Sequence, residues 1–267
     1  MQEGVFGPEA WLPMARAFQA YFEGNRNARL LVYVDEGEAD PMPVSVFFRS
    51  QDEFRECDRE SLGLARGRVL DIGAGVGSIA LALQTLGLNV TAVEVIPEAV
   101  SIMKKRGVRD VLLGSMEDLP KNGSFDTLLL LMNGIALAGT LSRVPGFLRE
   151  LDGLLAPDGQ ILIESTDLGT GPDEGKGPPK GGPGPGFWDG DGDYPGEFQY
   201  QLEFSGERGA PFPQLFLDSG LLAALAEAEG FGMDVVWRGE GGGYLARLAR
   251  WSSSEPSQAP ILGPGRP

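Results

Sequence analysis

One aspartate, three alternating glycines and a distant glutamate have the types and spacing to do chemistry. They are Asp71-Ile72-Gly73-Ala74-Gly75-Val76-Gly77-Ser78 and, 23 positions after Asp71, Glu94. Val69, Leu70 and Ile72 form a short apolar run, the pattern of a buried strand in a parallel sheet. Ser78 to Leu86 reads as a helix. A strand, a glycine turn and a helix let a ligand approach the backbone at the carboxyl end of a sheet. Glu94 falls near the end of the next strand, Asn89 to Val95, where an acid can accept both hydroxyls of a ribose. The plainer readings are a helix-capping acid and a solvated turn residue. The spacing of the two acids favours a ligand.

Two cofactor classes use such a turn. A dinucleotide fingerprint needs its third glycine at position 78, which is Ser. The alternating glycines after an acid, Val69-Leu70-Asp71-Ile72-Gly73-Ala74-Gly75-Val76-Gly77, closely resemble the first motif of class I S-adenosylmethionine-dependent methyltransferases. The resemblance implies an S-adenosylmethionine cofactor bound by Asp71, Gly73, Ala74, Gly75 and Gly77, with Glu94 and Val95 on the next strand. Gly114-Ser115-Met116-Glu117-Asp118-Leu119-Pro120 looks like the family's adenine-bracketing loop, so Ser115, Met116 and Glu117 join the set. Ser115 stands where that loop often has Asp, and Met116 can pack on the ring face. Met132 and Asn133 end a very apolar strand where the sulfonium is expected. The Asn-Pro-Pro-Tyr motif of base and glutamine amino-methyltransferases is absent. The reaction implied is methyl transfer to a small-molecule acceptor. Two rivals stay open: a nicotinamide-dependent oxidoreductase and a non-catalytic S-adenosylmethionine-binding protein.

Composition narrows the partners. The chain has 267 residues and a formal net charge of −16, which repels a phosphate backbone and argues against nucleic acid. It has no histidine and a single cysteine, Cys57. That leaves no internal disulfide, no cysteine-based zinc site and no histidine general base. No basic start with an apolar signal core is present, and no apolar run reaches membrane-spanning length. A soluble cytoplasmic protein acting away from the membrane is expected.

Alternating strands and helices from Val69 to Ser165 predict an α/β fold. The expected architecture is a doubly wound, mainly parallel seven-stranded sheet finished by an antiparallel hairpin, Phe231 to Arg238 with Tyr244 to Arg250. Residues 1–66 read as an amino-terminal helical and hairpin cap, 67–251 as the cofactor-binding domain and 252–267 as a disordered tail. In the cap, Trp11, Met14, Phe18 and Phe22 recur at helical spacing, either packing on the domain or roofing the site. A capping box, Ser50-x-x-Glu53, predicts a helix running to about Ala65. Arg49 reads as a surface arginine, with reach to the cofactor carboxylate as the alternative. The Gly/Pro-rich stretch 170–196 predicts a mobile loop, a lid or an idle insertion. Glu197 to Ser205 alternates as a half-buried strand.

Overall fold

A computed structural model describes residues 7–35, 37–169 and 194–251. The chain opens with α1 (Pro8–Phe22), β1 (Arg29–Val34), β2 (Asp40–Pro43) and α2 (Glu56–Leu64). The alternating core follows: β3 (Arg68–Ile72), α3 (Ser78–Thr85), β4 (Asn89–Glu94), α4 (Pro97–Arg106), β5 (Asp110–Leu113), β6 (Phe125–Leu130), α5 (Val144–Leu154) and β7 (Leu155–Thr166). It closes with β8 (Glu197–Phe204), β9 (Glu207–Arg208), β10 (Phe212–Leu215), α6 (Ser219–Ala228), β11 (Phe231–Arg238) and β12 (Gly243–Arg250).

The period-two alternation of β3 sets the layers. Leu70 and Ile72 bury against Phe147, Leu148 and Leu151 of α5 and Leu222 of α6. Val69 points the other way, into a core with Cys57 of α2, Leu83 of α3 and Met103 of α4. Helices therefore cover both faces of a seven-stranded sheet, ordered β11-β12-β7-β6-β3-β4-β5. Pairing is parallel from β5 to β7, while β12 and β11 run antiparallel. The chain leaves β3 in one direction through β4 and β5, then returns on the other side through β6. That reversal puts a switch-point crevice outside the carboxyl ends of β3 and β6.

A second sheet, β10-β8-β1-β2 with β9 on β8, stands apart from the first. Its strands come from both sides of the core in sequence, β1 pairing β8 with Tyr33 opposite Gln201. With α1 it encloses Phe18, Leu30, Leu202 and Phe212 in a separate core that rests on Ala99 and Ile102 of α4. The composition of Asp40–Pro43 reads as a stiff exit from a turn, yet it forms the edge strand β2, a position that tolerates proline because one side lacks ladder partners.

The helix expected from Ser50 divides in two. The Ser50–Glu53 box closes as anticipated, but it caps only a 3-10 turn, Gln51–Glu53. Phe54 and Arg55 are extended, and Arg55 with Asp58 makes a second box that starts α2. The tail 252–267 and most of the Gly/Pro-rich stretch, residues 170–193, lie outside the described residues. No helix among the described residues is long and apolar enough to cross a membrane.

Candidate active site

Gly73 to Gly77 turn the chain from β3 into α3 through left-handed conformations that glycine adopts without strain. The Gly73 and Ala74 N–H groups donate to the Val93 carbonyl, tying the turn to β4 at 3.0 and 3.2 Å. Glu94, at the end of β4, holds the same turn from its side chain. One carboxylate oxygen accepts the Gly75 N–H at 2.8 Å, and the other accepts the Val95 and Ile96 N–H groups at 2.8 and 3.0 Å. Burial raises the Glu94 pKa above the ordinary carboxylate value, and the three backbone donors oppose that shift.

Asp71 lies on β3 with only 4% of its surface exposed, and its Oδ2 has no hydrogen-bond partner among the described residues. Burial, and secondarily the charge of Glu94, push its pKa up to about 7. Among the described residues no cation offsets that shift.

These groups line a cavity of about 320 Å³ at the switch-point crevice. Asp71, Gly73, Ala74, Gly75, Glu94, Val95, Ser115, Met116, Glu117, Met132 and Asn133 all contribute to it. Gly77 stands behind this wall. A Cβ there would come within 2.8 Å of Met103 and Val108, so its glycine serves the close approach of α4. Ser115 directs its backbone N–H and hydroxyl to Asp118, at 2.9 and 3.2 Å, which shapes the loop after β5. Met116 is buried, and Glu117 is exposed at the rim.

Met132 and Asn133 adopt consecutive left-handed conformations, φ 54° and 61°, which non-glycine residues rarely do. Two bonds fix the turn. The Met132 N–H donates to Glu164 at 2.6 Å, and the Asn133 side-chain amide donates to the Leu215 carbonyl at 2.9 Å. Glu164 also binds Arg55 through both oxygens, at 2.7 and 2.8 Å. Arg55 in turn grips the fully buried Asp58, which pairs with Arg49 at 3.1 Å. Burial alone would lower the Arg55 pKa, but the bonds to Glu164 and Asp58 outweigh it and raise it. Arg49, expected from sequence at the surface, lines the cavity and has a buried Nε with no partner among the described residues.

A family model described as a methyltransferase domain matches residues 70–163, the stretch that carries the glycine turn, both acids and the Met132–Asn133 turn. A solved S-adenosylmethionine-dependent methyltransferase of Bacteroides fragilis, in complex with S-adenosylhomocysteine, is 35% identical over 91% of this chain and 96% of that one, with a TM-score of 0.78. The chain belongs to the class I S-adenosylmethionine-dependent methyltransferases. The ubiquinone biosynthesis O-methyltransferase of Xanthomonas oryzae is 32% identical over 39% of this methyltransferase and 45% of its own length. The chain thus spans less than half of the curated relatives of that kind. The CcbJ methyltransferase of Streptomyces caelestis, 15% identical with a TM-score of 0.55 over 75% of this chain and 94% of its own, shares the fold.

Sequence reasoning missed part of this methyltransferase's cavity. Glu164, which braces the Met132 turn from behind the lining, could have been found as a carboxylate ending the apolar run Ile161-Leu162-Ile163 at the carboxyl end of a central strand. Phe212, Pro213 and Gln214 had no such signal, because only the pairing of β10 with β8 brings them to the cavity.

Proposed function

We propose that this methyltransferase carries a methyl group from S-adenosylmethionine to a small-molecule acceptor. The cofactor occupies the wall built by the ends of β3, β4, β5 and β6. The observation that supports this most is the convergence of Asp71, Gly73–Gly75 and Glu94 on one cavity, with Asp71 Oδ2 buried and unpaired. That orphaned oxygen suits a ligand bearing an ammonium and a sulfonium and no pyrophosphate.

In this reading Glu94 takes the ribose hydroxyls with the lone pairs left over from its three backbone donors. Met116 packs on the adenine, and Asn133 and Met132 stand beside the reacting carbon. Arg49, held by Asp58, is the cation available for the carboxylate of the amino-acid end. When bound, the cofactor supplies a methyl carbon on a sulfonium, which departs as a neutral thioether. The protein's part is positioning and the exclusion of water, effects that reach about 7–11 kcal/mol in favourable cases.

Isothermal titration with S-adenosylmethionine and S-adenosylhomocysteine tests the cofactor. Micromolar binding of both supports it, and a folded protein that binds neither overturns it. Bound cofactor with no methylated product across a broad acceptor panel would leave a binding protein in place of an enzyme.

A further inference from the structure

A chain of four charged side chains begins and ends on the cavity lining. Arg49, which lines the cavity, pairs with Asp58 at 3.1 Å. Asp58 is 0% exposed, and Arg55 holds it through its backbone N–H at 2.9 Å, its Nε at 3.2 Å and a terminal nitrogen at 2.6 Å. The outer edge of the same guanidinium meets both oxygens of Glu164, 8% exposed, at 2.7 and 2.8 Å. Glu164 then accepts the N–H of Met132, where the chain returns to the lining.

Such a chain is a poor staple for a fold, because desolvating buried charges offsets most of their mutual attraction. What it does supply is placement. Arg49 keeps a buried Nε with no partner among the described residues, so its pairing with Asp58 leaves a donor over. Met132 holds a left-handed backbone, φ 54°, that a non-glycine residue keeps only where its surroundings impose it. Arg55 is not part of the lining, yet it fixes the partner of each, Asp58 for Arg49 and Glu164 for Met132.

We infer that Arg55 is a positioning residue for methyl transfer: its guanidinium, forked between Asp58 and Glu164, sets Arg49 and Met132 together to hold the amino-acid half of the cofactor. The inference rests on the proposed cofactor reading, in which Arg49 meets the cofactor carboxylate and Met132 stands beside the methyl carbon. It goes beyond that reading by giving a residue outside the cavity control over one half of the ligand and not the other. A lysine in its place keeps the charge but has no planar fork to span two carboxylates.

The test is calorimetry on the full chain with S-adenosylhomocysteine and with 5′-methylthioadenosine, which keeps the adenosine and the thioether sulfur but lacks the amino-acid half. Arg55→Lys should weaken S-adenosylhomocysteine about tenfold or more and 5′-methylthioadenosine by less than about twofold. Arg49→Met should show the same selective loss. Combined with Arg55→Lys, it should lose far less than the product of the two single effects, because one residue acts through the other. Glu164→Gln opens the fork from its far side, since its carbonyl can still accept the Met132 N–H while its amide faces Arg55. That variant should give a selective loss of about threefold, and it decides the matter if Arg55→Lys fails to fold. A loss shared equally by both ligands overturns the inference, as does no loss in either variant, an Arg49→Met protein that binds both ligands unchanged, or fully multiplicative effects in the double variant. An unaltered protein that binds neither ligand is a separate result. It removes the cofactor reading, and the role of Arg55 with it.

Discussion

The Glu164 carboxylate on β7 accepts the backbone N–H of Met132 on the neighbouring strand end, at 2.6 Å, while both of its oxygens hold Arg55. A single buried side chain thereby joins the strained Met132–Asn133 turn to the Arg55–Asp58–Arg49 chain of charges, whose far end, Arg49, lines the cavity.

Glu164→Ala should therefore destabilise the protein by about 3 kcal/mol, the low end for breaking a buried pair because Arg55 keeps some contact with water. Urea denaturation measures it. The carbonyl of Glu164→Gln can still accept the Met132 N–H, so that variant should lose less stability and retain more turnover than the alanine variant. Equal losses in both would show that the Met132 bond does not matter.

Asp71 sets a pH dependence whose sign follows from its raised pKa, about 7 against an ordinary 3.8. The native state holds this proton up to about neutral pH, whereas the unfolded chain releases it near pH 4. The contribution of Asp71 to stability is thus largest below pH 4 and is lost as pH rises from 4 to 7. Asp71→Asn should raise Tm relative to the unaltered protein at pH 8 and lose that advantage at pH 4. If Asp71 serves the cationic end of the cofactor, the unaltered protein's advantage over Asp71→Asn in binding S-adenosylmethionine should grow between pH 6 and 8. A constant gap across that range would detach Asp71 from the cofactor.

Glu94→Ala should weaken S-adenosylmethionine binding by about 1.5–3 kcal/mol, since it removes charge-assisted acceptors for the ligand and the anchor of Gly75. Titration calorimetry on a variant with unchanged circular dichroism decides it. Unaltered affinity would take Glu94 out of the site.

Two glycines of the turn should respond differently to alanine. At Gly75 a Cβ meets nothing within 4 Å, so the cost is the left-handed backbone alone, about 1–2 kcal/mol. At Gly77 the same strain is joined by contacts of 2.8 Å to Met103 and Val108. Gly77→Ala should lose about 1–3 kcal/mol more, with cofactor affinity changing less than stability. The reverse order in denaturation would contradict the packing role of Gly77.

Much of the cavity lining at the strand ends was legible because its residues are consecutive. Asp71 to Gly75, Glu94 and Ser115 to Glu117 each sit at a strand end whose place in a parallel sheet follows from local alternation of strand and helix. The seven-stranded sheet and its antiparallel hairpin were legible for the same reason. The Arg49 environment was not, since its partner Asp58 lies beyond a break that the Ser50 capping box concealed. The cap sheet was hidden for a deeper reason. Tyr33 and Glu203, joined by a side-chain hydrogen bond at 3.0 Å, are 170 positions apart, and no local pattern in either strand announces its partner.

That separation also sets an order of assembly. The proposed cofactor wall draws on positions 71 to 133, but α1 and β10 come together on the cavity only once β1 and β10 have both paired with β8 across the intervening core. Closing so long a loop is entropically costly until the core is compact, so the cap sheet is expected to pair after the seven-stranded sheet. A folding intermediate of this chain is then expected to carry the strand-end lining of the cavity before α1 and β10 supply theirs.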